Sequence, residues 1–203
     1  MITSAWIDTE NTGIDPRDSG AFEIALLIYQ GSERVFEKLY HLNPLDEEVR
    51  WSEEACRVNG VTEEMIHSYP PLERVVPELI AGLKQRLPEE KYVFAGYNCG
   101  FDYRHIAATF FRAGFLASDY FNKRLIDVYA LVKRAMATGL LPNTRDRKLE
   151  TMTKALGVVH DAAHTAMDDI KATRRFYETL YFLDKKAAGN DFGNRAAHQA
   201  GAC

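Results

Sequence analysis

The chain has 203 residues, 46% hydrophobic and 27% charged, enough for one domain with a sizeable core. A net charge of −4 and a pI near 5.9 argue against broad electrostatic binding of duplex nucleic acid. No 18-residue apolar run or leading cationic apolar segment is present, so neither a membrane span nor a secretion signal is expected. Three cysteines, Cys56, Cys99 and Cys203, are too few for a disulfide frame and fit reduced thiols in a cytoplasm.

The first predicted strand, residues 2–8, mixes β-branched, aromatic and small residues and ends in acid at Asp8-Thr9-Glu10. If the extended conformation lasts through Glu10, Asp8 and Glu10 project to one side. Adjacent carboxylates of this kind repel unless protonated or bridged by a hard cation such as Mg²⁺ or Mn²⁺. On this fragment alone a solvated strand end is an equal alternative. Strands follow at 21–30 and 33–40, joined by Gln30-Gly31-Ser32, a hairpin-length link. Short helices are expected near 52–58 and 62–67, and a longer one at 71–87 that Pro77 should kink or split.

A fourth strand at 91–97 leads through Asn98 into a helix at 101–114, where Asp102 is in phase with Ile106, Thr109 and Ala113 and so leans toward the sheet. The helix dipole is the ordinary alternative for an acid there, and a turn residue for Asn98. A fifth strand at 124–128 carries Asp127. Helices at 127–138 and 148–156 flank Asn143 to Lys148, a basic loop that reads either as a solvated face or as a phosphate contact. The last helix, 165–184, has Thr165 as a plain N-cap. Asp169 shares its face with Thr173, Phe176, Leu180 and Leu183, an apolar stripe where an unpartnered carboxylate is costly. Asp168 falls on a solvated face, within reach of Lys171. His164 precedes Asp169 by five residues and could reach the same cluster as a near-neutral base; His160 is close enough in sequence to test in its place. Residues 185–203, rich in Ala, Gly, Asn and Gln, are expected to form a mobile tail after a domain at 1–184.

These fragments carry a resemblance to the DEDD superfamily of 3′ to 5′ exonucleases, in its DnaQ-like branch with a histidine in the third motif. Asp8-Thr9-Glu10 matches the first motif, Asn98, Phe101 and Asp102 the second, and His164, Ala166 and Asp169 the third. Arg57 to Thr62 and Leu125 to Val128 extend the likeness, which covers about residues 2–183 in order and spacing. Asn11 departs from the usual Thr before Thr12-Gly13. Trp6-Ile7-Asp8 with Thr12 to Pro16 is also similar to oligoribonucleases of the superfamily.

The resemblance implies an α/β, ribonuclease H-like fold with a central five-stranded mixed sheet flanked by helices. It implies two divalent metal ions, Mg²⁺ or Mn²⁺, held by Asp8, Glu10, Asp102 and Asp169, with His164 as general base. Asp127 is then a structural strand residue. Thr9, Asn11, Thr12, Asn98 and Phe101 are implied to contact substrate, a single-stranded or 3′-terminal DNA or RNA cut to nucleoside 5′-monophosphates. Trp51 and Tyr103 join Phe101 as aromatics on which bases could stack, and all three could equally be core residues. A silent nucleic-acid-binding module, an enzyme of short RNA and a phosphatase of small phosphoesters are the alternatives. Oligomeric state and any polymerase partner are open.

Overall fold

The structure, a computed structural model, describes residues 2–87, 90–160 and 165–200; the side chains of 55, 56 and 188–200 lie outside that description. One five-stranded sheet organises the chain, in the order β3-β2-β1-β4-β5. The strands are β1 (Thr3–Asn11), β2 (Ala21–Gln30), β3 (Glu33–His41), β4 (Tyr92–Gly96) and β5 (Phe121–Asp127). Strands β1, β2 and β3 pair antiparallel, β2 with β3 as the short Gly31 link requires, whereas β4 joins β1 and β5 joins β4 in parallel, each after a helical crossover. The mixed sheet expected from the sequence is present, with β1 at its centre.

Two apolar layers cover the sheet. On one face Ala5, Ile7, Ile24, Leu26, Ile28 and Phe94 meet α3 (Leu72–Arg86) and α4 (Gly100–Arg112). On the other, Trp6, Ala25, Leu27 and Ala95 meet α5 (Val128–Ala137), α6 (Leu149–Ala155) and α7 (Ala166–Ala200). Strand alternation thus assigns odd residues of β1 to the α3–α4 layer and even residues to the α7 layer. The small helices α1 (Glu53–Val58) and α2 (Glu63–Ser68) sit between β3 and α3 in sequence, and Thr62 caps α2 by accepting the Met65 N–H at 3.3 Å.

Three expectations are corrected. Helix α3 runs unbroken through Pro77. The ring removes one hydrogen bond near the helix start, and burial of Leu72, Val75, Val76, Leu79, Ile80 and Leu83 holds the rest in place. Helix α7 continues to Ala200, beyond the 184 read from the periodicity; no proline interrupts that stretch, and Lys185, Lys186, Ala187 and Ala188 favour helix. Lys171 does not pair with Asp168: it reaches Glu37 of β3, while Asp168 is bonded to Thr165 Oγ1 at 2.7 Å.

Candidate metal centre

Strand β1 stays extended through Asn11, so Asp8 and Glu10 project together into the α7 layer. Helix α7 presents Asp169 to the same place because Thr173, Phe176 and Leu180, in phase with it, are buried against the sheet. Asp8, Glu10 and Asp169 each offer an oxygen, and these oxygens lie within 4.8 Å of one another. Among the described residues this is the one group of three or more acidic, histidine or cysteine side chains so arranged.

Asp102 arrives from the opposite layer. It opens α4, is buried, and its Oδ1 accepts both the N–H of Thr9 (3.1 Å) and the Thr9 hydroxyl (2.8 Å). Thr9 is the odd residue between Asp8 and Glu10, so α4 is tied to the segment of β1 that carries both acids. Close passage of β4 against β1 helps to set this distance: a Cβ on Gly96 would stand 2.9 Å from the Ile7 carbonyl oxygen, which only glycine avoids.

The electrostatics follow from crowding. Burial, and then the charges of Asp102, Glu10, Asp169 and Glu23, push the Asp8 carboxyl well above its usual range. Glu10 is raised to about 8, first by burial and then by Asp169, Glu23 and Asp102, against a hydrogen bond from the Asn59 side chain that favours its charged form. Burial raises Asp102 to about 7 despite the two Thr9 bonds. Oxygen-only ligands that cannot all carry charge without a counter-ion suit a hard divalent cation.

A pH dependence follows. In the absence of metal the folded state holds protons on Glu10 that the unfolded chain, with an ordinary glutamate near 4.5, releases. Stability from this group is whole below about 4.5 and is lost as pH rises through about 8. The thermal midpoint in EDTA is therefore expected to fall between these values, and Mn²⁺ is expected to abolish that fall by binding the ionised carboxylates. Thermal scans at pH 5, 6.5 and 8, with and without metal, measure it; a midpoint in EDTA that does not drop would contradict the crowding.

The remaining sequence-predicted residues are placed as follows. Asn11 is buried, with Nδ2 on the Thr9 carbonyl (3.2 Å) and hydroxyl (2.9 Å) and Oδ1 without a partner. Thr12 is buried, its hydroxyl accepting the Gly20 N–H at 3.1 Å. The side chains of Thr9 and Thr12 therefore hold backbone and neighbours together. Asn98 is exposed, in a left-handed conformation (φ 56°), and its N–H donates to Asp127 Oδ1 at 3.0 Å. The same Asp127 oxygen accepts the Tyr129 N–H and caps α5, the structural role read for it. Phe101 is half-buried beside the His105 ring, and Tyr103 packs edge-on to Phe94 in the core. His164 lies outside the described residues.

Three further neighbours surround the acids: His160, which the sequence offered only as an exchange for His164, and Asn59 and Glu23, which it did not single out as part of the site. His160 is half-buried, its side chain 7% exposed, with Nε2 2.6 Å from Asp169 Oδ1 and Nδ1 without a partner. Asn59 reaches Glu10. Glu23 stands directly across from Glu10 in the β1–β2 register. The latter two are brought in by strand register and by a loop after α1, neither of which has a periodic signature.

Beside the end of β1 lies an open apolar cleft of about 380 Å³, lined by Thr12, Ile14, Trp51 and Val58 among others. Its loop wall is fixed by α4: Arg112 donates to the Pro16 carbonyl (2.9 Å) and the Ser19 carbonyl (3.1 Å), and His105 Nε2 meets Ser19 Oγ at 3.2 Å. Ile14 is left 82% exposed at its rim.

A family profile described as RNase_T, exonuclease, matches residues 5–177. The chain is 27% identical over 180 residues to the PolC-type DNA polymerase III of Thermotoga maritima, covering 89% of this chain but 12% of that protein. It is 25% identical over 186 residues to the oligoribonuclease of Colwellia psychrerythraea, covering 87% of this chain and 94% of that one. E. coli Exonuclease I, solved in complex with a dT13 oligonucleotide, superposes with a TM-score of 0.75 at 18% identity, over 95% of this chain and 43% of that one. Exonuclease I of Methylocaldum szegediense gives 0.74 at 20% identity, over 89% and 40%. The chain thus spans a small part of the polymerase and under half of either Exonuclease I, whose likeness establishes the shared fold. With the family profile covering both ends of the acidic cluster, from β1 into α7, the chain belongs to the RNase_T family of exonucleases.

Proposed function

We propose that this protein is a 3′ to 5′ exonuclease that removes nucleoside 5′-monophosphates from a nucleic-acid end with two bound divalent ions, Mg²⁺ or Mn²⁺. The observation that carries the reading is the convergence of Asp8, Glu10 and Asp169 within 4.8 Å, from a strand and a helix far apart in sequence. These three would hold one ion, and Asp8 with Asp102 would support the second. When bound, such ions supply an activated water and charge stabilisation on the phosphoryl oxygens. His164 would take the proton of the attacking water as the bond from phosphorus to the 3′ oxygen breaks. Thr9 keeps Asp102 oriented through its N–H and hydroxyl. Asn98 and Phe101, at the start of α4, face the end of the chain being cut, and Thr9, Asn11 and Thr12 shape the strand end beside it. The open cleft with Ile14, Trp51 and Val58 offers an apolar surface on which a base can rest.

Single-stranded nucleic acid is the substrate best suited to an acidic protein whose cations are local. Arg145, Arg147 and Lys148 are exposed on a loop tethered where Tyr97 Oη donates to the Arg147 carbonyl at 2.5 Å, one residue before Asn98. They would meet phosphates leading away from the acids. Short RNA is the second reading, favoured by oligoribonuclease relatives matched over nearly their whole length. Action beside a polymerase has only the PolC likeness behind it. Among the described residues no helix is long and apolar enough to cross a membrane, and Cys99 is a free, buried thiol; a cytoplasmic location is inferred.

The test is a panel of matched DNA and RNA oligonucleotides, single-stranded and duplex, with dinucleotides and a chromogenic phosphodiester, incubated with Mn²⁺. Stepwise release of 5′-mononucleotides from the 3′ end is expected. Cleavage of the small phosphodiester alone would make the protein a hydrolase of small phosphoesters, and binding without cleavage a silent module.

A further inference from the structure

Glu23 lies on β2 opposite Glu10, mostly buried, with its side chain 14% exposed. Both of its oxygens are engaged. Oε1 accepts the N–H of Ala166, the first residue of α7, at 3.0 Å, and Oε2 meets His41 Nε2 at 2.9 Å. The bond to Ala166 joins residues 143 apart in sequence, from the strand beside the acids to the helix that carries Asp169 one turn further on. Thr165 serves another orphan donor of that first turn, accepting the Asp168 N–H at 3.2 Å. His41 in turn packs on the Tyr69 ring at 4.9 Å, so the outer end of the bridge is itself supported.

A glutamate so close to Asp8, Glu10 and Asp169 adds repulsion to a crowded site, and a neutral or apolar side chain would relieve it. Its presence calls for a compensating role, and the Ala166 bond supplies one. We propose that Glu23 is a positioning residue for the metal centre: through Ala166 it fixes the first turn of α7 on β2 and so sets Asp169 against Asp8 and Glu10. It acts by reach and hydrogen bonding, and its negative charge is incidental to the role. This rests on the metal-dependent reading given above.

Reach and charge can be separated by two conservative substitutions. Glu23→Gln removes the charge but keeps an oxygen within reach of the Ala166 N–H, and its amide can donate to His41. Glu23→Asp keeps the charge but withdraws the carboxylate by one methylene from Ala166. Mn²⁺ affinity is read by calorimetry on the full chain, with thermal unfolding in EDTA to show that each variant is folded. The Asp variant is expected to bind Mn²⁺ about tenfold or more weakly, the usual scale for losing a group that orients a ligand, and the Gln variant to stay within about threefold of wild type. Turnover should follow the same order at limiting metal and converge at saturating metal. A Gln variant as weak as the Asp variant, or an Asp variant as tight as wild type, overturns the proposal while leaving the metal centre intact. Failure of the wild-type protein to bind Mn²⁺ would instead remove the metal-dependent reading, and this one with it.

Discussion

Replacing Asp8 with alanine, or Asp169 with alanine, is expected to reduce exonuclease turnover to background, a loss on the order of 10³-fold or more, with the fold preserved. Each substitution removes one of three oxygens that lie within 4.8 Å of each other: without Asp169 no ligand of the three remains on the helix, and without Asp8 a single strand carboxylate, Glu10, is left to face it. Stability moves the other way. The Asp8 carboxyl is pushed well above its ordinary range by burial and then by four neighbouring acids, so its loss relieves repulsion in the metal-free protein. The thermal midpoint of Asp8→Ala in EDTA should equal or exceed that of wild type, and the stabilisation that Mn²⁺ gives to wild type should vanish. Steady-state rates on a 3′-hydroxyl oligonucleotide, paired with thermal scans, check both halves. A variant that keeps near-normal rates would remove Asp8 from the site.

His164→Ala is expected to lower kcat by about 10²–10⁴-fold while leaving Mn²⁺ affinity within a few-fold of wild type, the pattern for losing a general base. His160→Ala should behave differently. His160 Nε2 sits on Asp169 Oδ1, so its removal frees that carboxylate and is expected to weaken metal binding by about tenfold, with a smaller loss of kcat at saturating Mn²⁺. The two variants measured side by side assign the roles. If His160→Ala carries the larger loss of kcat at saturating metal, His160 and not His164 is the base.

The difference between these histidines reflects what each level of structure encodes. His164 is legible as a spacing of five residues before a core-facing aspartate. The contact of His160 depends on how the segment after α6 returns to α7, which no local pattern specifies. Asp102 gives the same lesson: helical phase turned it toward the sheet, and Ile106 and Thr109 are buried as that phase requires, yet its attachment to Thr9 is a contact across 93 residues. Pro77 and the end of α7 were misread because tertiary burial in one case, and helix-favouring residues in the other, outweighed the local punctuation.

By itself, then, the sequence determined which side chains share a face: Asp8 with Glu10 by the two-residue period of a strand, Asp169 with the core stripe of α7 by the 3.6-residue period of a helix, and the antiparallel turn at Gly31 by its length. These are local properties, set by backbone geometry and burial of apolar stripes. The tertiary structure alone decided that β1 lies at the centre of the sheet, that Asp102 enters from the opposite layer, and that Glu23 and His160 close around the acids. Those contacts come from strand register and chain return over long separations, where the free energy of the whole packed core selects one pairing among many that the local pattern permits.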